Sequence, residues 1–203
     1  MSPAFLEELS RARPDPGGGA AAAYAAALGL ALLEKVVKLE ANRRPPGGNR
    51  DPFWGKLREK VERLGQSFTR LREDDVEAYR QLARARVSRD RPGLAAAVQE
   101  AVAVPRRIME EATAALRLLA RAGDRCRSHL VSDLLVAGEL LEGALQGAWH
   151  IARANLPWMA DAQERRAFHR RLSRSRRQGR ELWDKVRQEL ERREPGPRPG
   201  RGA

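Results

Sequence analysis

An all-α fold is what this sequence predicts, and three observations predict it. The 203 residues are rich in Ala, Leu, Arg and Glu, with 5% aromatics and few β-branched residues, a balance that favours helix over strand. Apolar residues recur at steps of three and four, the period of one helix face. Pro and Gly gather in short clusters between those stretches, where helices end. With 42% apolar residues the chain can bury a core. One helical domain is expected over 1–194, followed by a disordered Pro/Gly/Arg tail over 195–203.

The elements follow in order. Ser2-Pro3 opens a short amphipathic helix with Phe5, Leu6 and Leu9 on one side, ending before Pro14. PDPGGG (14–19) then places three glycines directly before a long helix, Ala20 to Asn42, whose first half is apolar all round, as in a helix buried on most sides. PPGGNRDP (45–52) is a loop. From Phe53 to Val87, Leu57, Val61, Leu64, Phe68 and Leu71 alternate steps of four and three, the seam of a bundle. The same rhythm continues to Asp75, Ala78 and Leu82, so a carboxylate occupies a core position. RDRPG (89–93) breaks the chain, and Leu94 to Ala122 forms a helix that Pro105 should kink or restart, with Gly123 ending it. Ser132 is placed to cap a helix from Asp133 to Asn155, whose buried stripe is Leu134, Ala137, Leu141, Ala144, Leu145, Ala148 and Ala152. That stripe, extended, reaches Asn155, a second polar residue where an apolar one is due. After Pro157, a helix from Ala162 to Arg193 completes a bundle of five to six helices.

The net charge of +12 is unevenly spread: from Arg165 onward there are 14 Lys and Arg against 5 Asp and Glu. HRRLSRSRRQGR (169–180) reads as a solvated arginine-rich helix; nonspecific RNA or phosphate binding is the lesser reading, with no aromatic platform beside it. Cys126 is the single cysteine, so no intrachain disulfide forms and a reducing, cytoplasmic setting is expected. The N-terminus lacks a basic start and apolar core, and the charge-free run Ala20 to Leu33 is short for a bilayer of about 30 Å, so no membrane is expected. There is no phosphate-binding P-loop, dinucleotide fingerprint or H-E-x-x-H. His129, His150 and His169 lack metal-ligand spacing, so neither metal nor cofactor is expected.

A Gly-rich turn entering a helix presents unpaired N–H groups to an anion or a polarised carbonyl, though three glycines also serve a sharp turn alone. In order, FLEELSRARPDPGGGAAAAYAAALGLAL, DVEAY (75–79), AVAVP (101–105), SDLLVA (132–137) and GAWHIARANL (147–156) resemble the formimidoyltetrahydrofolate cyclodeaminase and methenyltetrahydrofolate cyclohydrolase family over nearly the whole chain. The resemblance implies a homodimeric helical bundle with its folate site near the glycine turn and the subunit interface. It also implies a reaction that forms or hydrolyses 5,10-methenyltetrahydrofolate. Such chemistry needs a carboxylate tuned by partial burial. Asp75 is the candidate acid/base and Asp133 a candidate for charge stabilisation or pterin orientation. Gly17, Gly18, Gly19, Ser132 and Asn155 are candidates for substrate binding, with Arg43 and Arg44 or the last helix for the anionic tail. Asp133 also suits a helix N-terminus in its own right. The chain departs from the family pattern at Ala20, where Ser is common, at Glu40 and Asn42, at His129 and at Ile151. A noncatalytic binding protein of the same fold and a basic RNA-associated bundle are the alternatives.

Overall fold

Six α-helices make up most of the described residues, 3–43, 51–88 and 91–194, of the computed structural model. They are α1 (Pro3–Ser10), α2 (Gly18–Ala41), α3 (Pro52–Ser88), α4 (Arg91–Gly123), α5 (Val131–Asn155) and α6 (Ala162–Glu191). Short 3-10 turns at Ser128–Leu130 and Leu156–Trp158 flank α5, and no strand occurs among the described residues. Most of the expected 45–52 loop and the 195–203 tail lie outside those residues.

Helices α2, α3, α4 and α5 pack as an antiparallel bundle in which each touches the next and α5 returns to α2. The directions follow from the contacts: Gly18 meets Ile151 while Gly29 meets Ala137, and Gly19 meets Asp75 while Gly65 faces Leu30. The α3 seam behaves as its spacing predicts, with Leu57, Val61, Phe68, Leu71, Ala78 and Leu82 buried. Close approach of α2 and α5 depends on Gly29, where a Cβ would come within 2.7 Å of the Ala137 carbonyl. Fully buried Leu30, Leu33, Leu116, Leu119, Leu134, Leu141 and Leu145 fill the interior. Each contributes about 2 kcal/mol through its removal from water.

Helix α6 lies across α5 and α4. Asp161 caps it, accepting from the N–H groups of Gln163 at 2.6 Å and Glu164 at 2.8 Å, and these bonds hold its carboxyl below the usual carboxylate range. Leu172, Gly179, Trp183, Val186 and Leu190 form its buried face, while Arg170, Arg171, Arg174, Arg177 and Arg180 are exposed.

Two local expectations are corrected. Ser132 does not cap α5: the 3-10 turn runs straight into the helix, Leu130 already has helical backbone (φ −99°, ψ −5°), and Ser132 sits exposed inside the first turn. Pro105 neither ends nor restarts its helix, because α4 is continuous from Arg91 to Gly123. Helix α2 also proves longer than its charge-free run: its 24 residues are long and apolar enough to cross a membrane, yet half of that apolar stretch is buried inside the bundle.

Candidate functional site

At one end of the bundle the start of α2 meets the C-terminal half of α3, the N-terminal half of α4 and the end of α5. The segment leading there contains a cis Asp15–Pro16 bond. Asp15 is tied to α3 by Arg80, whose Nε donates to its carboxylate at 2.7 Å. Gly17 is extended and offers no side-chain cap to the first N–H groups of α2. Asp75, reaching across from α3, fills that position.

Packing explains two of the three glycines. A Cβ on Gly19 would fall on the Asp75 carboxylate, and one on Gly18 would come within 2.9 Å of Ile151 Cδ1. Around Gly17 the nearest atom to such a Cβ would be the Pro14 carbonyl at 3.6 Å, an ordinary contact. The glycines at 18 and 19 thus let α3 and α5 close onto the start of α2.

Asp75 is half-buried, and burial pushes its carboxyl up to about 6, opposed by the backbone N–H of Ala20. The seam position that looked anomalous for a carboxylate is the cause of this shift. Arginines on the same helix are engaged elsewhere, Arg80 with Asp15 and Arg84 with Glu77. A carboxyl of this kind exchanges a proton readily near neutral pH.

Around it lies a cavity of about 250 Å³ lined by residues that include Gly17, Gly18, Gly19, Asp75, Tyr79, Ala101, Ile151 and Asn155. Asn155 Nδ2 donates to the Ala101 carbonyl at 2.7 Å. In an unbroken helix that carbonyl would accept from the N–H of residue 105, which is proline. The side chain of one helix therefore satisfies a backbone group that the sequence of another leaves open, and α4 continues without a break.

The other candidates lie elsewhere. Asp133, 22 residues before Asn155 on one continuous helix, stands about 33 Å from it. There it accepts from Lys35 Nζ at 2.9 Å, next to exposed Ser132. Arg43 is exposed at the far end of α2, and Arg44 lies outside the described residues. The departure at Glu40 serves structure: this residue, 5% exposed, accepts from both the backbone N–H and Nε of Arg127 at 3.0 Å. Ala20, in place of the serine common in the family pattern, is fully buried. Tyr79 escaped the sequence reading, although its place four residues after Asp75 puts both on one face of α3. The Asp15–Arg80 tie had no local signal, being a contact between residues 65 apart.

Residues 2–174 match the family model described as formiminotransferase-cyclodeaminase. The chain is 31% identical over 181 residues to the formimidoyltransferase-cyclodeaminase of Mus musculus, a match covering 83% of this chain and 33% of that protein. Its counterpart in Rattus norvegicus is 29% identical over 182 residues, with 84% and 33% covered. The chain thus spans about a third of the length of the curated relatives it matches. A solved formiminotetrahydrofolate cyclodeaminase from Thermotoga maritima has a similar fold, with a TM-score of 0.80, 21% identity, and 93% of this chain and 92% of that chain covered.

Proposed function

The chain belongs to the formiminotransferase-cyclodeaminase family, and on that premise we propose that it acts on the one-carbon bridge of tetrahydrofolate, with the cavity at the glycine turn as its site. The observation that carries the reading is the Asp75 carboxyl, held near 6 by burial and aimed at the start of α2 inside a cavity. Gly17, Gly18 and Gly19 form the backbone rim, and Asn155 supplies a polar group from the end of α5.

In cyclodeamination, N10 of 5-formimidoyltetrahydrofolate attacks the carbon of the formimidoyl group in its protonated, amidinium form. Ionised Asp75 takes the N10 proton, then returns it to the imino-derived nitrogen. The carbon–nitrogen bond breaks, ammonia leaves, and the 5,10-methenyl cation remains. In cyclohydrolysis, Asp75 takes a proton from the water that adds to the methenyl carbon and delivers it to N5 as the N5–carbon bond opens, while the remaining hydroxyl proton leaves to solvent, giving 10-formyltetrahydrofolate. Either course needs one group that is both a competent base and a competent acid near neutral pH, which a carboxyl at about 6 provides.

A homodimer in a cytoplasmic setting is part of this proposal. Leu28, Leu39 and Val136 expose apolar surface on α2 and α5, the helices that also carry Lys35 and Asp133. A second copy seated there would be the means by which Ser132 and Asp133 approach a shared site. The buried thiol of Cys126 agrees with a reducing compartment.

The test is direct. Purified protein is given 5-formimidoyltetrahydrofolate or 5,10-methenyltetrahydrofolate while the methenyl absorbance is followed. Its appearance identifies a cyclodeaminase and its loss a cyclohydrolase. Neither change, together with no binding of tetrahydrofolate, would refute the reading.

A further inference from the structure

Pro105 and Asn155 lie 50 residues apart in the sequence and meet through one atom, the Ala101 carbonyl oxygen. A helical N–H at position i bonds the carbonyl at i−4, so proline at 105 leaves this carbonyl open, and its ring tips that carbonyl away from the axis. A carbonyl only accepts, so the amide of Asn155 must turn its Nδ2 toward it. Its Oδ1 then remains the acceptor, and no donor is bonded to it among the described residues. Ala101 and Asn155 both line the cavity that holds Asp75.

We propose that Pro105 is a positioning residue: by withholding its N–H from Ala101 it holds the Asn155 amide in one orientation and presents Oδ1 to a ring N–H of the substrate. Naming that donor as an edge of the aminopyrimidinone ring rests on the folate reading above. The pair makes this wall of the cavity an acceptor, selecting a ligand with a donor edge there. Restoring an N–H at 105 draws the Ala101 carbonyl back into the helix and frees the amide to turn.

Pro105→Ala, Asn155→Ala and the double variant are compared in the full chain by steady-state kinetics with 5,10-methenyltetrahydrofolate or 5-formimidoyltetrahydrofolate, beside thermal unfolding. Pro105→Ala is expected to raise KM about fivefold, the effect of one neutral hydrogen bond, with kcat within about twofold. Its Tm stays equal or rises, since proline is disfavoured inside a helix. Asn155→Ala raises KM at least as far, and adding Pro105→Ala to it changes KM no further. An unmoved KM in Pro105→Ala, or the same increase in both backgrounds, would overturn the inference.

If the wild-type chain neither turns over nor binds the folates, the folate reading fails by itself. The positioning claim is then decided by the side-chain amide signal of Asn155 in NMR. Slow hydrogen exchange in the wild type and fast exchange in Pro105→Ala supports it; equal exchange, or fast exchange in the wild type, overturns it.

Discussion

Asp75→Asn should make this protein more stable at neutral pH while disabling it. Burial raises the Asp75 carboxyl from 3.8 to about 6 in the folded chain. At 1.36 kcal/mol for each tenfold change in proton affinity, ionising it in the folded state costs about 3 kcal/mol more than in the unfolded chain. The sign follows from proton uptake. Between about pH 4 and 6 the folded chain binds more protons at this group than the unfolded chain, so stability falls as pH rises through that window and stays lower above it. An asparagine amide carries no charge, and its oxygen still accepts from the Ala20 N–H. Asp75→Asn is therefore expected to gain about 2–3 kcal/mol at pH 7.5, roughly 5–10 °C in Tm for a chain of this size. The gain should shrink to about 0.5 kcal/mol at pH 4, where the wild-type carboxyl is protonated in the folded chain and about half protonated in the unfolded one. Turnover should fall about a hundredfold or more, because the amide cannot carry the proton. Thermal unfolding of both proteins from pH 4 to 8, with steady-state rates beside it, checks both halves. A variant no more stable than wild type at pH 7.5, or one whose advantage persists unchanged at pH 4, would refute the assignment of the shift to charge burial.

With Asp75 ionised as the initial base, kcat/KM should rise as pH increases through about 6 and then level off, and the residual activity of Asp75→Asn should lack that limb; a flat wild-type profile from pH 5 to 8 contradicts the role. Gly19→Ala forces its methyl onto the Asp75 carboxylate and should cost about 3 kcal/mol of stability with at least tenfold of turnover, whereas Gly17→Ala, with its nearest neighbour at 3.6 Å, should stay within about 0.5 kcal/mol by denaturant unfolding. Equal stability loss in the two would sink the packing account of the glycine turn. Glu40→Ala removes the acceptor of the backbone N–H and Nε of Arg127 at the opposite end of α2 and should cost about 1–2 kcal/mol in the same measurement, with kcat unchanged. An unaltered unfolding midpoint would show that this contact between buried Glu40 and exposed Arg127 contributes no net stability.

The site was legible in the sequence where a single element carried the signal. The three-and-four spacing of α3 put Asp75 on the seam because helix period and side-chain direction are local properties, and the half-burial that tunes the carboxyl follows from that register. The glycine turn before an apolar helix was equally visible. Ser132 and Asp133 read as site residues because their motif carries no information about distance; the uninterrupted length of α5 sets them about 33 Å from Asn155 within the chain. At Pro105 the expected restart does not occur, because α4 runs on through it. The proline's missing N–H is local, but the donor that compensates for it comes from another helix, 54 residues along the chain from the open carbonyl.

By itself, then, the sequence determined the helices, the apolar faces that drive them together, and the carboxylate and glycines destined for one end of the bundle. Only the tertiary structure decided that Gly19 makes room for Asp75, that Arg80 ties Asp15 to α3, and that Asn155 answers the open carbonyl of Ala101. Helix period and turn chemistry act over a few residues, whereas hydrogen-bond satisfaction and burial depend on whichever distant segments the packing brings alongside.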